Sequence, residues 1–180
     1  IGVGHGRFPA SHGFLFTNQT TVLLDAGIGE TKIKEIDREK RIDILIISHT
    51  HPDHIRSAYL LHDRFILVPK ETPDGTSDLD LLGERFIGTV EGGKKWAAFV
   101  EKEFNVHALP DPDARFGDGD ILKFGGIELE AIHTPGHTID HYCFLHKKSG
   151  TLITTDIDLT SFGPWYGNPE SDIQRFRSSI

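Results

Sequence analysis

The 180-residue chain reads as an α+β sandwich in which two sheet-forming regions carry helices on their outer sides. Three observations predict this. Residues 42–47 are an apolar run interrupted only by Asp43, with continuous rather than alternating hydrophobics, the mark of a strand covered on both faces. Residues 94–104 place Trp96, Phe99, Val100 and Phe104 at helical intervals, so an amphipathic helix turns that stripe to the core. From Asp120 onward the period shortens to that of strands, punctuated by Gly125-Gly126, Pro135-Gly136 and Ser149-Gly150.

From the N-terminus, residues 13–17 and 21–25 form two strands joined by an Asn18-Gln19 turn. A short helix over 30–39 follows, then the buried strand 42–47. Residues 54–61 start a helix that returns across the sheet, 65–68 is a short strand closed by Pro69, and the polar stretch 71–80 is loop. Strands over 121–124, 127–132, 142–146 and 151–155 build the second region. Ile173, Phe176 and Ile180 then recur at helical spacing behind Ser171 or Asp172 as a cap. One domain over 1–180 is expected. The start at Ile1 without Met and the stop inside a helical segment make a C-terminally truncated fragment the expectation.

Composition excludes several functions. A hydrophobic content of 37% and a charged content of 26% are ordinary for a globular protein. No apolar stretch approaches the roughly 20 residues of a membrane span. A formal net charge of −8 repels phosphate backbones, so nucleic acid is not an expected partner. Cys143 is the single cysteine, which forbids an internal disulfide and fits the cytoplasm. It packs as a small hydrophobe.

The chemistry concentrates in "SHTHPDH", Ser48 to His54, directly after the buried run. His49 and His51, two apart in extended backbone, project to one side and can meet at one point. Pro52 then turns the chain, so Asp53 and His54 face a neighbouring point, the geometry of two adjacent metal positions. His137 in "HTPGHT" and Asp156 at the end of "TLITTD" are two more ligand types at strand ends. Asp158 competes with Asp156. His133 and His141 have the spacing of turn hydrogen bonds or a substrate contact. His5, His12, His62, His107 and His146 read as surface residues. Gly2-Val3-Gly4-His5-Gly6 lacks the Lys and helix of a phosphate cradle and reads as a pocket-edge loop.

"HTHPDH" resembles the H-x-H-x-D-H signature of the metallo-β-lactamase superfamily, "HTPGHT" its next histidine motif and "LLDAG" its first. Asp156 resembles its bridging aspartate, and the motif set looks most like the glyoxalase II branch. The resemblance implies a four-layer αββα sandwich, incomplete at the C-terminus. It implies two divalent metal ions, zinc first and iron or manganese as alternatives. His49, His51 and His137 would hold the first ion, Asp53 and His54 the second. Asp156 would bridge them, with Asp25 supporting from behind. The chain departs from the pattern at Ile55-Arg56-Ser57, where Gly is common, and at Thr155, where Gly is usual. It also has no His after His146 to complete the second position. That ligand lies beyond Ile180 or the second position is incomplete.

The expected function is a metal-dependent hydrolase that activates water against a small ester, thioester, lactone or related substrate, with Asp53 as general acid and base. The partner is then a small molecule; a homo-oligomer stays open. The alternatives are a mononuclear iron oxygenase acting on sulfur compounds and a non-catalytic metal-binding scaffold.

Overall fold

The inner strands of the first half are apolar on both faces, and the fold covers both. In the computed structural model, which describes residues 1–2, 8–157 and 165–180, five strands form one sheet in chain order. They are β1 (Phe14–Thr17), β2 (Thr21–Leu24), β3 (Ile44–Ile46), β4 (Phe65–Pro69) and β5 (Ala114–Phe116). The first two are an antiparallel hairpin and the rest run parallel to β2. Parallel neighbours need crossovers. These are α1 (Glu30–Glu39), the short α2 (Pro52–Ile55) with a 3₁₀ turn at Ala58–Leu61, and the pair α3 (Leu79–Ile87) and α4 (Val90–Phe104).

Alternation along each strand sorts side chains into two cores. Leu23, Leu45, Ile66 and Val68 point to the helices and pack with Ile33, Ile55, Leu82 and Phe86. Val22, Leu24, Ile46 and Leu67 point the other way and meet Leu122, Leu129, Phe144 and Ile153 of the second sheet. That sheet is an antiparallel meander of β6 (Ile121–Phe124), β7 (Ile127–His133), β8 (Tyr142–His146) and β9 (Thr151–Ile153). On its outer side Cys143 and Ile157 pack with Phe176 of α5 (Ile173–Ser179). The layers are therefore helix, sheet, sheet, helix, as the sequence led one to expect; among the described residues α5 alone forms the last.

Several elements differ from the sequence reading. Residues 54–61 are one turn of α-helix and a separate 3₁₀ turn. The stretch 71–80 ends in a helix start, because the Asp78 carboxylate accepts from the amides of Asp80 and Leu81 and caps α3. Helix α4 begins at Val90 behind the Thr89 cap, and its buried positions are Gly93, Ala97 and Val100. Phe99 is 55% exposed, so the aromatic stripe is only half in the core. Strand β5 was not anticipated, and β9 stops at Ile153. In α5 only Phe176 is buried, docked behind the Asp172 cap. Val3, Gly4, His5 and Gly6 of the glycine-rich stretch, and Asp158, lie outside the described residues.

Candidate metal centre

Five segments converge at the carboxyl ends of the first sheet's strands. After β3 the chain stays extended through His51 (φ −65°, ψ 146°), and Pro52 at the first helical position starts α2 there. The Tyr142 amide donates to the Ser48 carbonyl at 3.1 Å and so ties β8 to the end of β3. Gly27 passes so close to α2 that a Cβ on it would lie 1.8 Å from the Asp53 carbonyl oxygen. Only glycine fits there. His137 sits in the tight loop between β7 and β8, where Gly136 takes φ 132°. Asp156 follows Thr155, whose φ of 47° is the left-handed region that suits glycine. The Thr155 hydroxyl donates to the Tyr142 carbonyl at 3.0 Å and holds that strained residue in place.

His51 Nδ1 lies 3.2 Å from His49 Nε2 and 2.8 Å from His137 Nε2. Asp156 Oδ2 stands 3.3 Å from His137 Nε2 and 3.9 Å from His49 Nε2, and one ligand atom from each of the four residues lies within 4.8 Å of the others. The other Asp156 oxygen, Oδ1, is 2.9 Å from His54 Nε2, which is 3.9 Å from Asp53 Oδ2. One carboxylate thus faces two groups of side chains. His49, His51, His137 and Asp156 form a tight group, while Asp53 joins only through His54.

The remaining ring nitrogens decide where the protons sit. His49 Nδ1 donates to Ser48 Oγ at 2.9 Å, and that hydroxyl donates to Asp25 Oδ2 at 2.7 Å. His137 Nδ1 donates to the Trp165 carbonyl at 2.8 Å, and His54 Nδ1 to Asp25 Oδ2 at 2.8 Å. The Asn168 side-chain nitrogen stands against His51 Nε2, and a half-turn of that amide presents its oxygen, the end that accepts the ring proton. The outer partners of His49, His137 and His54 are acceptors, and with the Asn168 oxygen turned to His51 every ring presents an unprotonated nitrogen inward. Imidazole lone pairs and a carboxylate then face one another, an arrangement that a cation relieves. His54 Nε2 agrees: it is buried and, despite its 2.9 Å approach to Asp156, lacks a hydrogen bond of proper geometry. The donor set of imidazole nitrogens and carboxylates fits zinc or iron.

Electrostatics set His54 apart from His49 and His51. Burial and the neighbouring imidazoles hold His49 and His51 well below the usual histidine range. Burial alone would lower His54, but Asp156, Asp25 and Asp53 together outweigh it and raise it well above that range. Burial raises the Asp53 carboxyl, although 19% of its side chain stays exposed. Asp25, at φ 64°, also accepts from the Ser48 amide at 2.8 Å. His141 spends both ring nitrogens on Thr134, Thr155 and the Asp156 amide, and burial pulls it down to about 3. His133 donates to the Ile139 carbonyl at 2.9 Å. Sequence reasoning missed Trp165, Asn168, Arg85 and Asp140, which surround the histidines from behind; a polar Asp140 beside a ligand motif was the one available signal.

The family model of the metallo-β-lactamase superfamily matches residues 5–179. A protein of Aquifex aeolicus (strain VF5) is 26% identical over 145 residues, covering 80% of this chain and 63% of that protein. A hydroxyacylglutathione hydrolase of Chelativorans sp. (strain BNC1) is 27% identical over 137 residues, covering 76% of this chain and 42% of that enzyme. The chain therefore spans less than two thirds of the length of these curated relatives. Among solved structures, TTHA1623 in a di-iron-bound form superposes with a TM-score of 0.72 at 18% identity, covering 97% of this chain and 81% of that one.

Proposed function

Because the chain belongs to the metallo-β-lactamase superfamily, we propose that it carries the metal centre of a hydrolase acting on a small ester, thioester, lactone or related substrate. Thioesters come first, since the Chelativorans relative is named a hydroxyacylglutathione hydrolase. One observation carries the reading: four inward-facing imidazole nitrogens meet the two oxygens of one carboxylate. His49, His51 and His137 would hold a first divalent ion, Asp53 and His54 a second, and Asp156 both. Zinc is the leading candidate. Bound there, such ions would lower the pKa of water toward neutrality and polarise a substrate carbonyl.

The chain's own groups do the rest. Asp25 and Ser48 keep the His54 and His49 protons on the outer nitrogens. Asp53 is partly exposed and its carboxyl is raised by burial, so it can hold a water by hydrogen bonding and deliver a proton to a leaving group. Buried His51 and His137 exclude solvent from one side of the centre.

Metal analysis and thioester hydrolysis by the full-length protein test this. His51→Ala should remove the first ion and activity together, whereas Asp53→Asn should keep the first ion and lose roughly 10²- to 10⁴-fold in rate. Unchanged metal content in His51→Ala defeats the assignment. Oxygen uptake by a single bound iron would establish the oxygenase in its place.

A further inference from the structure

We propose that residues 165–172 form a strap, locked by Arg85, that fixes the ring protons of His51 and His137 and so sets the affinity of the first metal position. Asn168 and Glu170 are its positioning residues. The inference rests on the metal-holding reading above.

The strap touches the site from the side away from the converging nitrogens. Its Trp165 carbonyl accepts the His137 Nδ1 proton, and Asn168 meets His51 Nε2. Ser171 Oγ donates to the His137 carbonyl at 3.0 Å, and the Asp172 amide to the Gly136 carbonyl at 2.8 Å. This one segment thus supplies the outer partner of two of the three first-position imidazoles, and with the Asn168 oxygen turned to His51 both rings carry their proton on that side. A ring that loses such a partner can move its proton inward, where it competes with a cation.

What holds the strap is a buried ionic cluster. Arg85 Nε donates to Glu170 Oε2 at 2.8 Å and Nη2 to Oε1 at 2.7 Å, a two-pronged pair. The same Nη2 donates to Asp140 Oδ1 at 3.0 Å, and Nη1 donates to Thr50 Oγ1. Asp140 Oδ2 accepts from Thr50 Oγ1 at 2.6 Å and from the Thr50 amide at 3.2 Å. Thr50 lies between His49 and His51, so one guanidinium joins the strap to the ligand loop. The side chains of Arg85, Glu170 and Asp140 are 12%, 11% and 0% exposed. Taking three charges out of water is a poor route to stability, but it admits few geometries. That property suits a device for orientation.

The test uses the zinc-loaded full-length protein, with competition against a chromophoric chelator and NMR of the imidazole N–H protons. Asn168→Ala should weaken the first ion about 10- to 100-fold and abolish the protected His51 Nε2 proton signal. Glu170→Ala should weaken it similarly and lose protection at both His51 and His137, while Glu170→Gln, which still accepts from Arg85, recovers most of the affinity. Unfolding midpoints confirm that the variants stay folded. Folded variants that bind the first ion within about twofold of wild type, with both ring protons protected, overturn the strap. A wild-type protein that takes up no ion overturns the metal reading beneath it.

Discussion

Asp25 shows how much one side chain can carry. It is 1% exposed, sits at φ 64°, and accepts from the Ser48 amide, the Ser48 hydroxyl and His54. Alanine would orphan all three donors in a place closed to water, and would itself resist the left-handed backbone. Asp25→Ala should therefore cost about 3–5 kcal/mol in urea unfolding. Asp25→Asn, which keeps one acceptor and tolerates that φ, should cost clearly less. At this scale the sequence was informative about inward-facing atoms. His49, His51, His137 and Asp156 could be named because each lies beside a strand end in a compact motif. The outer partners could not: His51 and Asn168 are 117 positions apart, and Arg85 and Thr50 are 35 apart. Nothing local marks such pairs before the chain folds.

At the scale of elements, the long apolar strands and the meander were legible, whereas α3, the start of α4 and β5 were not. Glycine hid the two helices. Gly83 stands mid-helix in α3 and Gly93 in the first turns of α4, positions that propensity alone would assign to loop. The structure gives the reason: a Cβ on Gly83 would lie 2.4 Å from the Gly93 carbonyl oxygen and 2.9 Å from Trp96 Cε3. The helices cross backbone to backbone. Gly83→Ala gains up to about 1 kcal/mol of helix propensity, but overpacking of about 1–3 kcal/mol opposes it. Because the clash is with backbone, the expected outcome is a lower urea midpoint. Strand β5 escaped because three residues, Ala114 to Phe116, carry no period of their own. Their pairing with β4 defines them.

For the whole molecule, the αββα order follows from which strand faces are apolar, and the centre forms where the two sheets meet. Acid should reveal one tie across that seam. Burial would raise Asp140, but Arg85 and hydrogen bonds from Thr50 hold it below the usual 3.8. The unfolded chain thus takes up this proton first. The stability it confers is intact above 3.8 and is lost as pH falls through the lower folded value. Glu170, on the same guanidinium, is raised by burial and titrates in the opposite sense, gaining stability as pH falls. Thermal midpoints below about pH 4 should drop more steeply for wild type than for Asp140→Asn. The variant should be the less stable of the two at pH 7. A Glu170→Gln background isolates the Asp140 contribution.

The Tyr142 to Ser48 bond joins the two sheets beside the ligands. On the proposed assignment each half of the polypeptide would own an unfinished coordination set, the first supplying His49, His51, Asp53 and His54, the second His137 and Asp156. An ion grasped by both halves would be a rivet through the sandwich. Prising the sheets apart would release it, and its departure would let them part.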